Sequence, residues 1–437
     1  MNDNDHKSQV SSELFQKFAE DPVKADLEVF GRVTNEDRRG FLKGAGLATM
    51  TAMLGAAIPF ADKMPFGLIP VALAEEALKI DGKEGLISLG DKPLNAETPA
   101  YLLNDDITPT KYHFIRNHST VPEDLNPDTW TLTIDGEVEN PLKLTIAELK
   151  KQFKTVSEQL VIECGGNGRA FFNPQVKGNQ WTVGAVGCAK WTGVRLADIL
   201  KVAKVKKSAI YTAHYGADMD LADPTKFAVS RGIPIDKALD PHTLVAFMMN
   251  DAPIHPQNGA PLRLVVPGWV GSTSHKWLKR IQLRDVVHDG KGMTKRSYRM
   301  PNRPLEPGEE VGDEIFTKII TSMPVKSLIT APASRHQVTV GKPVEIRGHA
   351  WAGENEVKEM MVSIDFGASW IKAKLTKPAN RFAWQHWSVA VTFPVAGYYE
   401  VWARATDSKD NTQPFAVAWN PNGYLGNAMH RIALRVA

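Results

Sequence analysis

The chain has 437 residues, more than one hydrophobic core usually organises, so a processed leader followed by two domains is the natural division. A composition of 43% hydrophobic and 23% charged residues is that of an ordinary soluble globular protein. A formal charge of +3, with acids and bases interspersed, gives no basis for nucleic-acid binding.

At the amino terminus, Asp37-Arg38-Arg39-Gly40-Phe41-Leu42-Lys43 precedes a mildly apolar run from Gly44 to Phe60, and Ala72-Leu73-Ala74 offers a small-residue cleavage site before Glu75. Paired arginines followed by Phe-Leu-Lys look like a twin-arginine signal, the route of proteins exported already folded around a cofactor. Residues 1–74 therefore read as the leader of a periplasmic protein. The competing reading is a membrane anchor. Against it, the run falls below the roughly 20 residues that a spanning helix needs and is rich in Gly, Ala and Thr, so no integral span is expected.

Residues 85 to 125 are punctuated by Pro and Asn without a clear period and read as an extended segment. From Trp130 short β-rich runs alternate with helical ones: Trp130 to Ile134, then Leu144 to Phe153 with Thr145 as a cap for Ile146-Ala147-Glu148-Leu149. Thr192 to Leu200 reads as a turn running into a helix, and strands are predicted at Ala209 to His214, Thr243 to Met248 and Leu262 to Val266. The pattern is α+β and occupies residues 75–320. Beyond a Pro-rich stretch from Met300 to Glu314, residues 321–437 show period-2 strands from Gln337 to Ala405 separated by turn signals. That is the signature of a β-sandwich of the immunoglobulin-like kind.

One of the two cysteines lies in Val161-Ile162-Glu163-Cys164-Gly165-Gly166-Asn167-Gly168-Arg169, where an apolar run enters a glycine-rich turn. The ordinary reading is a small buried core cysteine before a tight turn. A thiolate on a rigid strand end, with backbone N–H groups and a guanidinium close by, would equally suit a soft metal ligand beside an anion. The other cysteine, in Val186-Gly187-Cys188-Ala189, reads as core packing. Two cysteines cannot make a disulfide framework, and no Cys-x-x-Cys-His attaches a haem to this chain.

Together with Phe114-Ile115-Arg116-Asn117-His118-Ser119-Thr120-Val121-Pro122, the Cys164 turn resembles the sulfite oxidase family of molybdenum-pterin enzymes. The sandwich shares the likeness in Ala350-Trp351-Ala352-Gly353 and Trp419-Asn420-Pro421-Asn422-Gly423. Several runs, among them Phe171-Phe172-Asn173-Pro174, look closer to the bacterial periplasmic sulfite dehydrogenases. The resemblance implies a molybdopterin catalytic domain followed by a sandwich that pairs subunits into a homodimer. It implies Cys164 as the single protein ligand to molybdenum, with Asn117, His118, Arg263 and Lys276 holding the molybdopterin and its phosphate. It implies an anion pocket of Arg116, Arg169 and Arg431 with the Trp181 indole, since a small, strongly hydrated oxyanion is stripped of water only by several charge-assisted hydrogen bonds.

One position departs from the family, which has a tyrosine in a segment Leu-Ala-Tyr-x-Met-Asn-Gly where this chain reads Val245-Ala246-Phe247-Met248-Met249-Asn250-Asp251. Phe247 then leaves the anion pocket without a hydroxyl. The activity implied is oxidation of sulfite to sulfate, with electrons passed to a separate c-type cytochrome. A sulfane dehydrogenase acting on carrier-bound sulfur, an S- or N-oxide reductase and a non-catalytic binding protein stay open beside it.

Overall fold

The computed structural model describes residues 80–437, so the paired Arg38 and Arg39 and the Ala72-Leu73-Ala74 site lie outside the described residues. In chain order, β1 (Ile87–Asp91), β2 (Leu94–Glu97) and β3 (Ile115–Arg116) precede β4 (Thr131–Gly136), β5 (Leu142–Thr145), α1 (Ile146–Gln152), β6 (Thr155–Glu163) and β7 (Val186–Arg195). There follow α2 (Leu196–Ala203), β8 (Tyr211–Gly216), β9 (Ser230–Arg231), α3 (Ile235–Ala238), β10 (Leu244–Met249), β11 (Ala252–Pro253), β12 (Arg263–Val265) and β13 (Leu278–Arg284). The remaining strands are β14 (Arg299–Met300), β15 (Lys318–Ile319), β16 (Lys326–Ala331), β17 (Gln337–Val338), β18 (Pro343–Trp351), β19 (Val357–Ser363), β20 (Ile371–Lys372), β21 (Lys374–Leu375), β22 (Gln385–Thr392), β23 (Gly397–Asp407) and β24 (His430–Val436).

The molecule is dominated by sheet, and its helices are short. Helix α1 starts where the sequence asks it to: the Thr145 hydroxyl accepts the Glu148 N–H while the Glu148 carboxylate accepts the Thr145 N–H, a reciprocal cap worth about 1 kcal/mol. Thr192 is not a turn, because β7 stays extended through Arg195 and the helix begins only at Leu196. The aperiodic segment before residue 125 contributes the sheet β1-β2-β3. Among the described residues no helix is long and apolar enough to cross a membrane.

Two sheets position the site. In the order β11-β10-β7-β6, with β12 also on β10, every ladder is antiparallel, and β6 runs its full length against β7 to end at Glu163 and deliver Cys164 to the sheet edge. The second, β5-β4-β13-β8-β9, pairs β13 parallel to β4. Strand β10 is buried on both faces: Leu244, Ala246 and Met249 join the apolar cluster that contains Cys164, while Val245 and Phe247 join the cluster built around α1 and α2.

After residue 325 two further sheets, β16-β18-β22-β21 and β17-β24-β23-β19-β20, enclose one core. Ile346, Met360, Trp387, Phe393, Val401 and Leu434 fill it. At its margin His349 stacks on Trp384 with ring centroids 4.2 Å apart, and His430 Nδ1 accepts the Ile329 N–H at 2.9 Å. Desolvation by burial pushes His349 down to about 3 and His430 to about 4, from an ordinary value of 6.5. Below pH 6.5 the unfolded chain binds protons that these folded rings refuse, so stability falls as pH drops from about 6.5 toward 4. Each ring accounts for roughly 1.4 kcal/mol per pH unit at most. The melting temperature should therefore be clearly lower at pH 5 than at pH 7.5, and a flat profile over that range would contradict the burial of these imidazoles.

Candidate active site

Cys164 is a free thiol, 7% exposed, at the end of β6. Its turn is held by three backbone-centred bonds: Cys164 N–H to the Ala185 carbonyl at 2.9 Å, Asn167 N–H to the Cys164 carbonyl at 2.9 Å, and Ala185 N–H to Asn167 Oδ1 at 3.1 Å. Close approach and backbone conformation both favour the glycines that follow. A Cβ on Gly166 would stand 2.5 Å from the Arg169 guanidinium, and Gly168 adopts φ +93°, in the left-handed region.

Two hollows meet at this cysteine. The first, of about 660 Å³ including its open mouth, is walled by His118, Arg263, His275, Lys276 and Asp218 among others. The second, a cleft of about 930 Å³ including its open mouth, is walled by Arg169, Lys177, Arg296, Asn422 and Tyr424. Arg116, Cys164 and Tyr298 are common to both.

Among the described residues, Asp218 is the one acidic group in the wall of the first hollow, against Arg116, Arg263 and Lys276. Arg263 is 4% exposed, donates to the Asn258 carbonyl at 2.5 Å and the Ser274 carbonyl at 2.9 Å, and lies over the Trp191 ring. Lys276 Nζ donates to Asn117 Oδ1 and, at 2.8 Å, to the Gln257 carbonyl. Asn117 Nδ2 passes the link on to Gln257 Oε1 at 2.8 Å. Desolvation, followed by the charge of Arg263, holds Lys276 well below the usual ammonium range, and desolvation alone brings Arg263 down to about 9. Asp218 is pushed up to about 6 by burial against the opposing pull of Lys276. Both ring nitrogens of His275 are buried without a partner among the described residues, and desolvation drops that imidazole to about 3. Buried cations that are short of anions, beside unpartnered imidazole nitrogens, fit a large anionic group carrying a phosphate and a planar ring system with donors and acceptors. A thiol at the inner end adds a soft ligand.

The cleft presents directed guanidinium groups to an anion. Arg169 is 8% exposed and pinned by Nε to the Asn422 carbonyl and by Nη1 to the Asn179 carbonyl, both at 3.1 Å, so its fork is aimed before any ligand arrives. Tyr298 brings a hydroxyl 2.8 Å from His118 Nε2, and its ring stacks on Tyr424 at 5.3 Å and meets the Arg231 guanidinium at 4.7 Å. Desolvation, then the charge of Arg116, holds His118 well below its ordinary value, so the ring is neutral.

The structure brings together Cys164, Arg116, Arg169, Asn117, His118, Arg263 and Lys276, and it corrects three sequence-based placements. Phe247 is not beside the cysteine. The alternation of β10, with its irregularity opposite β7 between Ala246 and Met248, turns the ring to the other face of the sheet, where Lys150 Nζ sits 4.8 Å above it. Arg431 is exposed on β24. Ile432, Leu434 and Val436 take the core positions, and its guanidinium lies over Phe415 and Trp402 on the outer sheet face. Trp181 is fully buried one layer back, edge-on to the wall residue Phe114, and lines neither hollow.

Tyr298, Asp218, Arg296 and Tyr424 are the residues that the sequence reading missed. Tyr298 had one signal, its place within the basic run Lys295-Arg296-Ser297-Tyr298-Arg299. Accordingly Arg431→Ala and Phe247→Tyr should leave kcat/KM within a factor of about two, as surface and remote substitutions do. Tyr298→Phe, which removes a hydroxyl worth about 0.5–1.5 kcal/mol net, should lower it several-fold. Steady-state kinetics of the three variants test the relocation, and a large loss in Arg431→Ala would contradict it.

Known proteins resemble the chain along most of its length. Residues 118–291 match the oxidoreductase molybdopterin binding domain, and residues 317–437 match the Mo-co oxidoreductase dimerisation domain. Mitochondrial sulfite oxidase of Drosophila melanogaster is 35% identical over 371 residues, covering 79% of this chain and 62% of the fly protein. Sulfite oxidase of Gallus gallus is 33% identical over 366 residues, covering 79% of this chain and 77% of the chicken protein. The chain thus spans under two thirds of the fly protein's length. Among solved structures, the sulfane dehydrogenase SoxCD from Paracoccus pantotrophus matches with a TM-score of 0.67 and 26% identity, over 87% of this chain and 95% of that one.

Proposed function

This chain belongs to the sulfite oxidase family of molybdenum-pterin enzymes, and from that membership we propose that it oxidises sulfite to sulfate. The observation that carries the reading is the meeting of a basic, phosphate-suited hollow and an arginine-lined cleft at one buried thiol. Cys164 would ligate the molybdenum, and Arg263, Lys276, Asn117, His118 and His275 would hold the pterin and its phosphate. When bound, that group supplies the two-electron oxidation, as cofactors commonly carry the redox chemistry of their enzymes.

The protein's own residues do the rest. Arg116 and Arg169 bind the oxyanion by charge-assisted bonds, and the pinning of Arg169 means that little ordering cost remains when substrate arrives. The Tyr298 hydroxyl, 2.8 Å from the neutral His118 Nε2, is placed to exchange its proton with that ring. Sulfite and water give sulfate, two protons and two electrons. The chain would pass the electrons to a separate c-type cytochrome, work in the periplasm after export through the Arg38-Arg39 signal, and pair as a homodimer through its sandwich.

A second reading is oxidation of sulfur bound to a carrier protein, favoured by a cleft larger than sulfite needs and by the likeness to SoxCD. Purified holoenzyme assayed for cytochrome c reduction tests both. Turnover with free sulfite at low concentration supports the first, and turnover only with carrier-bound sulfur supports the second.

A further inference from the structure

We propose that the buried Glu163–Lys326 ion pair is a positioning device by which the sandwich fixes the Cys164 turn, an inference that rests on Cys164 being the metal ligand. Glu163 ends β6 immediately before the cysteine, and Lys326 opens β16 in the sandwich. Their side chains meet at 2.5 Å and are 2% and 7% exposed. Trp351 Nε1, from the end of β18, donates to the second carboxylate oxygen at 2.8 Å, and Asn167 Nδ2 donates to the first at 3.0 Å. Lys326 Nζ also donates to the Asn167 carbonyl at 3.1 Å. The residue before the thiol and the residue that closes its turn are therefore both gripped by one ammonium, and the indole secures the carboxylate from the other side.

Net stability does not account for this arrangement. Two charges taken out of water lose about as much solvation as their attraction returns, and an apolar pair of similar volume commonly does as well. What an apolar pair lacks is direction. Four directed bonds fix where the end of β6 points, and partners of this kind around a ligand tune how firmly it holds its metal.

The test compares holoenzymes by melting temperature, by the visible absorption of the metal centre and by molybdenum retained during dialysis against a chelator. Glu163→Gln/Lys326→Met removes the charges together and should melt close to the parent, yet lose molybdenum about tenfold faster or more, with altered absorption. Lys326→Arg keeps the cation and should recover most of both, and Trp351→Phe should fall between. Parental spectrum and metal retention in the double variant would overturn the proposal. Should that variant not fold, Trp351→Phe decides alone: parental values overturn the proposal and altered ones support it. Cys164→Ser in the same series isolates the underlying assignment, since parental absorption there would show that the ligand reading has failed rather than the clamp.

Discussion

Cys164→Ser is expected to reduce turnover to background and to abolish the thiolate-dependent absorption of the metal centre while the chain stays folded. Serine fits the space, because the turn is held by backbone groups and Asn167 rather than by the thiol. A hydroxyl is a poor ligand where a soft thiolate is needed. Cys188 supplies the control. It is fully buried in a cluster with Val186 and Trp384, and burial pushes its thiol up to about 12, so it stays protonated and cannot stand in for Cys164. Cys188→Ala should keep full activity with a slightly lower melting temperature. Residual turnover near wild type in Cys164→Ser, measured at matched molybdenum content, would remove Cys164 from the centre.

Arg169→Ala is the second large effect. Each hydrogen bond from a charged group is worth about 1.5 to 3 kcal/mol, and the substrate charge is left partly unpaired, so kcat/KM should fall at least about tenfold. Part of the loss is indirect. Without the guanidinium, the Asn179 and Asn422 carbonyls lose their donor and the two sides of the cleft are no longer joined. Arg169→Lys retains charge without the fork and should recover only part of the rate. Equal kcat/KM for wild type and Arg169→Ala with sulfite would place substrate recognition elsewhere.

Features encoded over a few neighbouring residues were legible before the structure. The Thr145 cap, the glycine turn after Cys164 and the strand periodicity beyond residue 325 each depend on local chemistry. The misplacements share another cause. Whether Phe247 faces the cysteine depends on the register of β10 against β7 and on an irregularity at that residue, and a shift of one position reverses the facing of a strand side chain. Arg431 sits in β24, a strand that the sequence reading did not recognise, and its outward facing follows from pairing with β23. Tyr298 and Tyr424 come from irregular segments far apart in sequence, and only folding stacks them. No periodicity announces such a contact.

The connection from β23 to β24 has a consequence for how this protein can be cut and recombined. Leu425 N–H closes on the Gly165 carbonyl at 2.9 Å, a Cβ on Gly168 would lie 3.0 Å from the Gly426 carbonyl, and Asn422 and Tyr424 wall the cleft. The sandwich is consequently no exchangeable cassette: grafting it from a homologue would import a different roof over the cysteine. A single protease nick among residues 420 to 426 would fall in the wall of the cleft, outside the strands that carry the sandwich core. Residues 420 to 426, although they follow the strands of the sandwich in the chain, thus bound the space beside the thiol.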